Sequence, residues 1–343
     1  MVTSTATDLG LPAPSSPRSR PGGRRRYARL VGRRLLLAPL ILLGVSFTVF
    51  VVIDLSPNDP ARAALGVFAD AEQRERFAAE NGLDDPLPVR YARFLADLVQ
   101  LRLGESVIRP ESVNDLIGMA LPITVQLMVM ATVIAVASSL VLGIVAAWFE
   151  GRPVDRVVSV VAAFFQAAPQ FWIGLMFVQL FAVGLGVLPA GGYSPLSTGF
   201  SYWFSSLIGP AIVLALPFAA AMTRVIRASV ADELAKDYVR TAIGAGLSTG
   251  TVLVGSVLRN ALITPITVVG VYIGAMMSGA ILVETVFNIP GMGTLLVTGV
   301  RQGDLGIVRG VAIVGAVSFV VVNVIVDLLY LVLNPRGAEV TRS

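Results

Sequence analysis

Long stretches of this chain carry no charge at all, and no other feature constrains its fold as much. No Asp, Glu, Lys or Arg stands between Asp115 and Glu150, nor between Arg156 and Arg224. A surface facing water needs polar groups more often than that, whereas a bilayer core takes about 20 mostly apolar residues per helix. Only 14% of the residues are charged, against about 25% in soluble domains. In hydrocarbon every backbone polar group must be satisfied internally, so such runs fold as helices. The pattern predicts an all-α integral membrane protein with six transmembrane helices, at about 34–53, 120–148, 157–185, 205–226, 261–283 and 308–333. Pro169, inside the third, predicts a bend there.

The charges that remain set the orientation. Residues 1–32 are rich in Pro, Ser, Gly and Arg, a composition that cannot order itself, and read as a disordered basic cytoplasmic tail. Arginines from Arg18 to Arg34 crowd the start of the first span (33–54), with Asp8 the only acid before it. Excess arginine marks the cytoplasmic side. Residues 55–117 then form an extracytoplasmic domain. In it Leu87, Tyr91, Phe94, Leu95 and Leu98 recur at helical spacing, which predicts a short amphipathic helix resting on the membrane part. The 227–260 loop carries Arg227, Lys236, Arg240 and Arg259 and falls on the cytoplasmic side. So does the tail, 335–343.

The chain has no Cys and no His, which removes thiolate nucleophiles, imidazole chemistry and the usual zinc sites. Lys236 is the sole lysine, so no Gly-rich phosphate loop ending in Gly-Lys-Ser/Thr exists. The chain carries no catalytic, cofactor or metal site, and its energy must come from elsewhere. The net charge of +4 reflects arginines at the inner membrane face, not a nucleic-acid partner.

Four features stand out. In the 227–260 loop, residues 232–245 are helix-compatible and stop at Gly246, which suits either an ordinary loop helix or a docking helix for a cytoplasmic partner. After the fifth span, Glu284, Pro290, Gly291 and Gly293 form a tight turn. It either packs the outer face or belongs to an outer gate or a partner contact, with Glu284 free to pair with an arginine of a second subunit. Asn323 and Asp327 share a face of the sixth span and suit a structural hydrogen bond or ion handling. Gly270, Gly274 and Ser278 repeat every four residues, a spacing for close helix approach.

DYVRTAIGAGL (237–247) and LRNALITPIT (258–267) resemble the cytoplasmic EAA loop of binding-protein-dependent ABC importer permeases, in the dipeptide, oligopeptide and nickel subfamily. Arg240, Thr241, Ala242 and Gly246 fall on its pattern. Ile243, Gly244 and Ala245 stand where the subfamily usually carries basic residues. NGLDDPLPVRYARFLADL (81–98), LGES (103–106), LPITVQL (121–127), AAPQFWIGL (167–175), VLPAGGY (187–193), VETVFNIPGMGTLL (283–296) and NVIVDLLYLVLNPR (323–336) are similar to the subfamily's other signatures, in order.

The resemblance implies a type I ABC importer permease in a bacterial cytoplasmic membrane, with its core at 118–334. It implies a second homologous permease, two P-loop ATPase subunits that bind ATP and Mg, and an extracytoplasmic solute-binding protein. Asp237, Tyr238, Arg240, Thr241, Ala242 and Gly246 would then form the ATPase-coupling loop. The cargo stays open among dipeptides, oligopeptides, nickel chelates and glutathione-like molecules. A secondary transporter is the rival, but it calls for paired ionisable groups at mid-membrane and internal repeats, and the sequence offers one off-centre acid and no clear repeat.

Overall fold

The computed structural model describes residues 39–52, 65, 69–80, 82, 84–106, 108–109 and 111–333, without the side chains of Thr267 and 327–333. The tails at 1–32 and 335–343 lie outside the described residues, as do 33–38 and 53–54 of the expected first span. The described regular structure is helical apart from one isolated bridge, between Glu105 and Ser112.

The helices are α1 (Pro39–Val52), α2 (Ala71–Glu80), α3 (Leu87–Val99), α4 (Val113–Trp148), α5 (Pro153–Ala167) and α6 (Gln170–Phe177). Then come α7 (Phe200–Leu234), α8 (Asp237–Gly244), α9 (Thr249–Val252), a π-helical turn (Leu253–Val257) running into a single α-turn (Leu258–Ala261), α10 (Ile263–Val286), α11 (Met292–Gln302) and α12 (Leu305–Leu333). Among the described residues α4, α7, α10 and α12 are long and apolar enough to cross a membrane. Segments 153–167 and 170–184 pass that test only as a pair, bent by 106°. Pro169 was expected to bend one span; the break is sharper than a bend. Ala168 and Pro169 are extended (ψ 137° and 128°), as the residue before a proline prefers, so the helix stops and restarts.

Helix α7 is the centre of the bundle. Of its most apolar stretch 61% is buried, against 22% to 29% for the other three long helices. It packs chiefly on α4, and also on α5 and α10. Gly143 makes the α4 contact close: a Cβ there would lie 2.7 Å from the Ile226 Cβ. The first core layer joins Leu127, Ala131 and Ala135 of α4 to Leu207, Val213 and Leu214 of α7 and Met276 and Val283 of α10. Gly270 and Gly274 face Val326 and Phe319 of α12, so the small-residue stripe packs within this chain.

Two helices overrun the apolar runs that announced them. Helix α4 starts at Val113, because the Ser112 side chain accepts from the Asn114 N–H and Asp115 sits favourably in the first turn. Helix α7 runs on to Leu234, so the first part of the 227–260 loop is a continuation of a span. The amphipathic helix is α3. Its Phe94 packs with Phe50 of α1 and Ile313 of α12, flanked by Leu87, Tyr91 and Leu98.

Candidate functional site

Helix α8 is held at one end of the bundle by few anchors. Val239 is buried against Ile226 and Val230 of α7 and Val252 and Val257 of the returning segment, with Ala242 beside it. Asp237, Tyr238, Arg240, Thr241, Ile243 and Gly246 are exposed, as is Leu247. The C-terminus closes as a Schellman turn: Leu247 N–H donates to Ala242 O at 3.2 Å and Gly246 N–H to Ile243 O at 2.9 Å. Gly246 has φ +92°, the left-handed position that a glycine occupies without steric cost.

A polar brace fixes α8 to the end of α7. The nearly buried Glu233 accepts from Lys236 Nζ at 2.6 Å and from the Tyr238 hydroxyl at 2.9 Å. Asn260 lies beside both Glu233 and Tyr238. Burial and the Glu233 carboxylate push the Tyr238 phenol up from its ordinary value. The same carboxylate raises the Lys236 ammonium, so the brace keeps its protons at neutral pH.

Near this end α5 is clamped to α7. Arg227 donates to Asp155 from Nε at 2.5 Å and from Nη2 at 2.8 Å, the bidentate geometry that favours arginine over lysine. Asp155, 4% exposed, also accepts from Gly151 N–H at 2.9 Å and from the Ser159 hydroxyl at 3.4 Å. Sequence reasoning used Arg227 only as a loop charge and missed Asp155, Glu233 and Asn260. The acid in the short EGRPVDR hairpin was the available signal.

At the opposite end of α4 lies a second carboxylate. Glu284 is fully buried. It accepts from the Thr124 hydroxyl at 2.6 Å, from Gly293 N–H at 2.7 Å and from Thr294 N–H at 3.2 Å, while Met292 N–H donates to Thr124 Oγ1 at 2.8 Å. The first amides of α11 are thereby satisfied by one side-chain pair. Instead of an arginine, the partners within this chain are neutral donors.

Pro290 leads into that turn, and its glycines are there for space. A Cβ at Gly291 would collide with the Glu284 carboxylate. One at Gly293 would lie 2.5 Å from the Ile281 Cα. The preceding helix ends in another Schellman turn, with Asn288 at φ +49° and Ile289 N–H donating to Glu284 O at 2.9 Å. The sequence singled out Glu284, Pro290, Gly291 and Gly293 but missed Thr124.

Asn323 donates to Phe319 O of its own helix at 2.8 Å. Asp327 lies in α12, and its side chain is outside the described ones. The coupling candidates thus gather at the α8 end and the Glu284 group at the other, with Asn323 belonging to neither. Among the described residues no group of His, Cys, Asp or Glu could hold a metal ion.

Comparison with known proteins matches the sequence to one family. The model described as "Binding-protein-dependent transport system inner membrane component" matches residues 139–338, and its N-terminal counterpart matches 27–128. The oligopeptide transport system permease protein AppB of Bacillus subtilis is 35% identical over 312 residues, covering 90% of this chain and 99% of the relative. The probable peptide ABC transporter permease protein y4tP of Sinorhizobium fredii is 33% identical over 304 residues, covering 89% and 97%. The glutathione transport system permease protein GsiC of Pectobacterium atrosepticum is 36% identical over 306 residues, covering 89% and 97%.

Proposed function

The chain belongs to the binding-protein-dependent transport system inner membrane components, the permeases of ABC importers, and from that premise we propose that it is one of two permease subunits in an ATP-driven importer of peptides or peptide-like solutes. The second permease completes the pathway, and two P-loop ATPase subunits binding ATP and Mg lie beneath. A solute-binding protein delivers cargo from outside. The chain spans a bacterial cytoplasmic membrane six times, with both termini and α8 on the cytoplasmic side, and performs no chemistry of its own. Relatives named for peptides, oligopeptides and glutathione support that cargo class.

One observation carries this reading. Helix α8 is a short lever anchored by Val239 and braced through Glu233, and it leaves Ile243 and Leu247 40% and 52% exposed. Apolar side chains at a charged cytoplasmic end suit a groove on an ATPase partner. Force applied to Asp237, Tyr238, Arg240, Thr241 and Ala242 passes through the brace into α7, the most enclosed span.

Gly246→Trp tests it. A Cβ at Gly246 meets nothing within 4 Å, so the ring projects from the surface, and the left-handed turn is strained by about 1–2 kcal/mol. In proteoliposomes holding the complete importer, we expect normal insertion, retained ATPase activity and lost uptake. Gly246→Ala carries the strain without the bulk and should keep most of the uptake. Unchanged transport by Gly246→Trp would overturn the assignment.

A further inference from the structure

Arg224 stands one turn before the arginine that clamps α5 to α7, and its charge is unanswered. Its Nη1 donates to Gln166 Oε1 at 2.6 Å. No other acceptor and no carboxylate engages it among the described residues, so most of the guanidinium's N–H groups are left over. Arg227, by contrast, is held by Asp155 and lies 3.8 Å from Glu150.

The two arginines open on a recess of about 500 Å³ between α5, α7 and α10. Ser159 and Gln166 line it from α5 and Tyr272 from α10, with small apolar residues of α7 filling the wall and no acid in it. Tyr272 stands edge-on to Phe218, ring centroids 5.9 Å apart, which fixes the ring. Its hydroxyl has no hydrogen-bond partner among the described residues.

The direction of Arg224 bears on what surrounds it. Helical side chains lean toward the helix N-terminus, which for α7 is the end away from α8. Arg224 starts about 4.5 Å along α7 from Arg227, yet it meets a residue about 16 Å along α5 from Asp155. An arginine facing lipid turns its guanidinium to the nearer interface. On the importer reading that is the cytoplasmic one, and Arg224 reaches the other way. Such a charge needs water around it, so this face of the bundle borders a wet passage rather than acyl chains.

We propose that the recess is a carboxylate-binding station on the path of the cargo: Arg224 holds the terminal carboxylate of a peptide or peptide-like solute, and the Tyr272 hydroxyl donates to the same group. This rests on the importer reading and adds to it the part of the cargo that the path recognises. A guanidinium with free donors side by side suits the two oxygens of a carboxylate. The volume falls among small-ligand pockets, about 300–1,000 Å³, and exceeds what one acidic side chain of a second subunit would fill. Gln166 and Ser159 offer the neutral donors and acceptors that a peptide bond pairs with. An open, wet site holds its guest weakly, as a passage that must let go requires.

The test is arginine-selective modification by phenylglyoxal, read at Arg224 by peptide mass spectrometry, with the exposed Arg301 at the opposite end as control. The full-length chain and the assembled importer, in nanodiscs without ATP, are each titrated with trialanine, trialaninamide and acetate. Trialanine should slow modification of Arg224 at millimolar concentration and leave Arg301 unchanged. The amide, which lacks the charge, and acetate, which lacks the peptide bonds, should each need about tenfold more for the same protection. Tyr272→Phe, which keeps the ring on Phe218, should raise the trialanine concentration for half-protection about fivefold.

Equal protection by the amide or by acetate would overturn the proposal, as would a Tyr272→Phe variant protected like wild type. An Arg224 that reacts in the lone chain but is shielded in the peptide-free importer would mark an acid of the second subunit as its partner and overturn it too. The readout needs neither ATP nor uptake, so failure here leaves Gly246→Trp to judge the importer reading by itself.

Discussion

Glu284 and Asp155 are both carboxylates withdrawn from water, yet they are kept in different company. Asp155 faces a guanidinium in bidentate contact, and the pair sits where Arg227 keeps 30% of its side chain exposed. Glu284 has no exposure and accepts only from a hydroxyl and two backbone amides. One joint is made by opposite charges across two helices. The other is made by removing side chains, so that Gly291 and Gly293 can close on the acid. A charge pair at a wet boundary can separate and re-form, because water takes over each partner. A carboxylate wrapped by backbone has no such alternative, and its joint is the stiffer of the two.

The comparison can be broken by substitution. The largest effect is expected for Gly293→Val, which forces branched carbon into the Ile281 backbone and the carboxylate. We expect a loss of about 3 kcal/mol, seen as a collapsed melting temperature in detergent; near-normal stability would show that the turn is not rigid. Arg227→Ala comes next and leaves Asp155 buried without its cation. A fully buried pair loses about 3–5 kcal/mol on such a deletion, and the partial exposure of Arg227 puts this one nearer 2 kcal/mol. Adding Asp155→Asn should recover part of that loss in chemical denaturation, and a double variant as unstable as the single would show that the charge pair is not the cause.

Glu284→Gln sharpens the contrast at smaller cost. The amide oxygen can still accept from the amides of α11, but its NH2 then faces Thr124, whose hydroxyl proton loses its acceptor, an unsatisfied arrangement costing about 1–3 kcal/mol. Because no cation is involved, its deficit should not change with salt, whereas that of Arg227→Ala should shrink as salt rises. Thermal shifts at two ionic strengths separate the cases. The smallest effect belongs to Asn288→Gly. Asn already tolerates the left-handed region, so relief there should add only about 0.5 kcal/mol. A loss of stability instead would mean that the Asn288 side chain makes a contact worth more than the turn.

How much was legible depended on how far apart the partners lie in the chain. The long spans were legible because hydrocarbon forbids charge, and that prohibition is written locally. Helix α3 was legible because Leu87, Tyr91, Phe94 and Leu98 recur at 3.6-residue spacing, and Gly246 because a helix end needs the left-handed position within one residue. The Asp155–Arg227 and Thr124–Glu284 contacts join residues 72 and 160 positions apart. No local pattern encodes which distant helix each side chain will meet. The polarity of Asp232 and Glu233 read as loop, although helix α7 continues through them, since helix and span are separate properties.

That continuation has a mechanical consequence. At about 1.5 Å per residue, the part of α7 from Arg227 to Leu234 is roughly 10 Å long and the part from Arg227 back to Phe200 roughly 40 Å. On the importer reading, in which α8 is pushed from below, the two parts of α7 on either side of Arg227 would stand in a ratio of about one to four. A displacement applied at the short part would then be multiplied at the long one, and the force divided by the same factor. Such gearing suits a load that must move far against little resistance. Pro210 and Pro217 lie on the long arm, where each removes a backbone N–H donor and leaves a point of give.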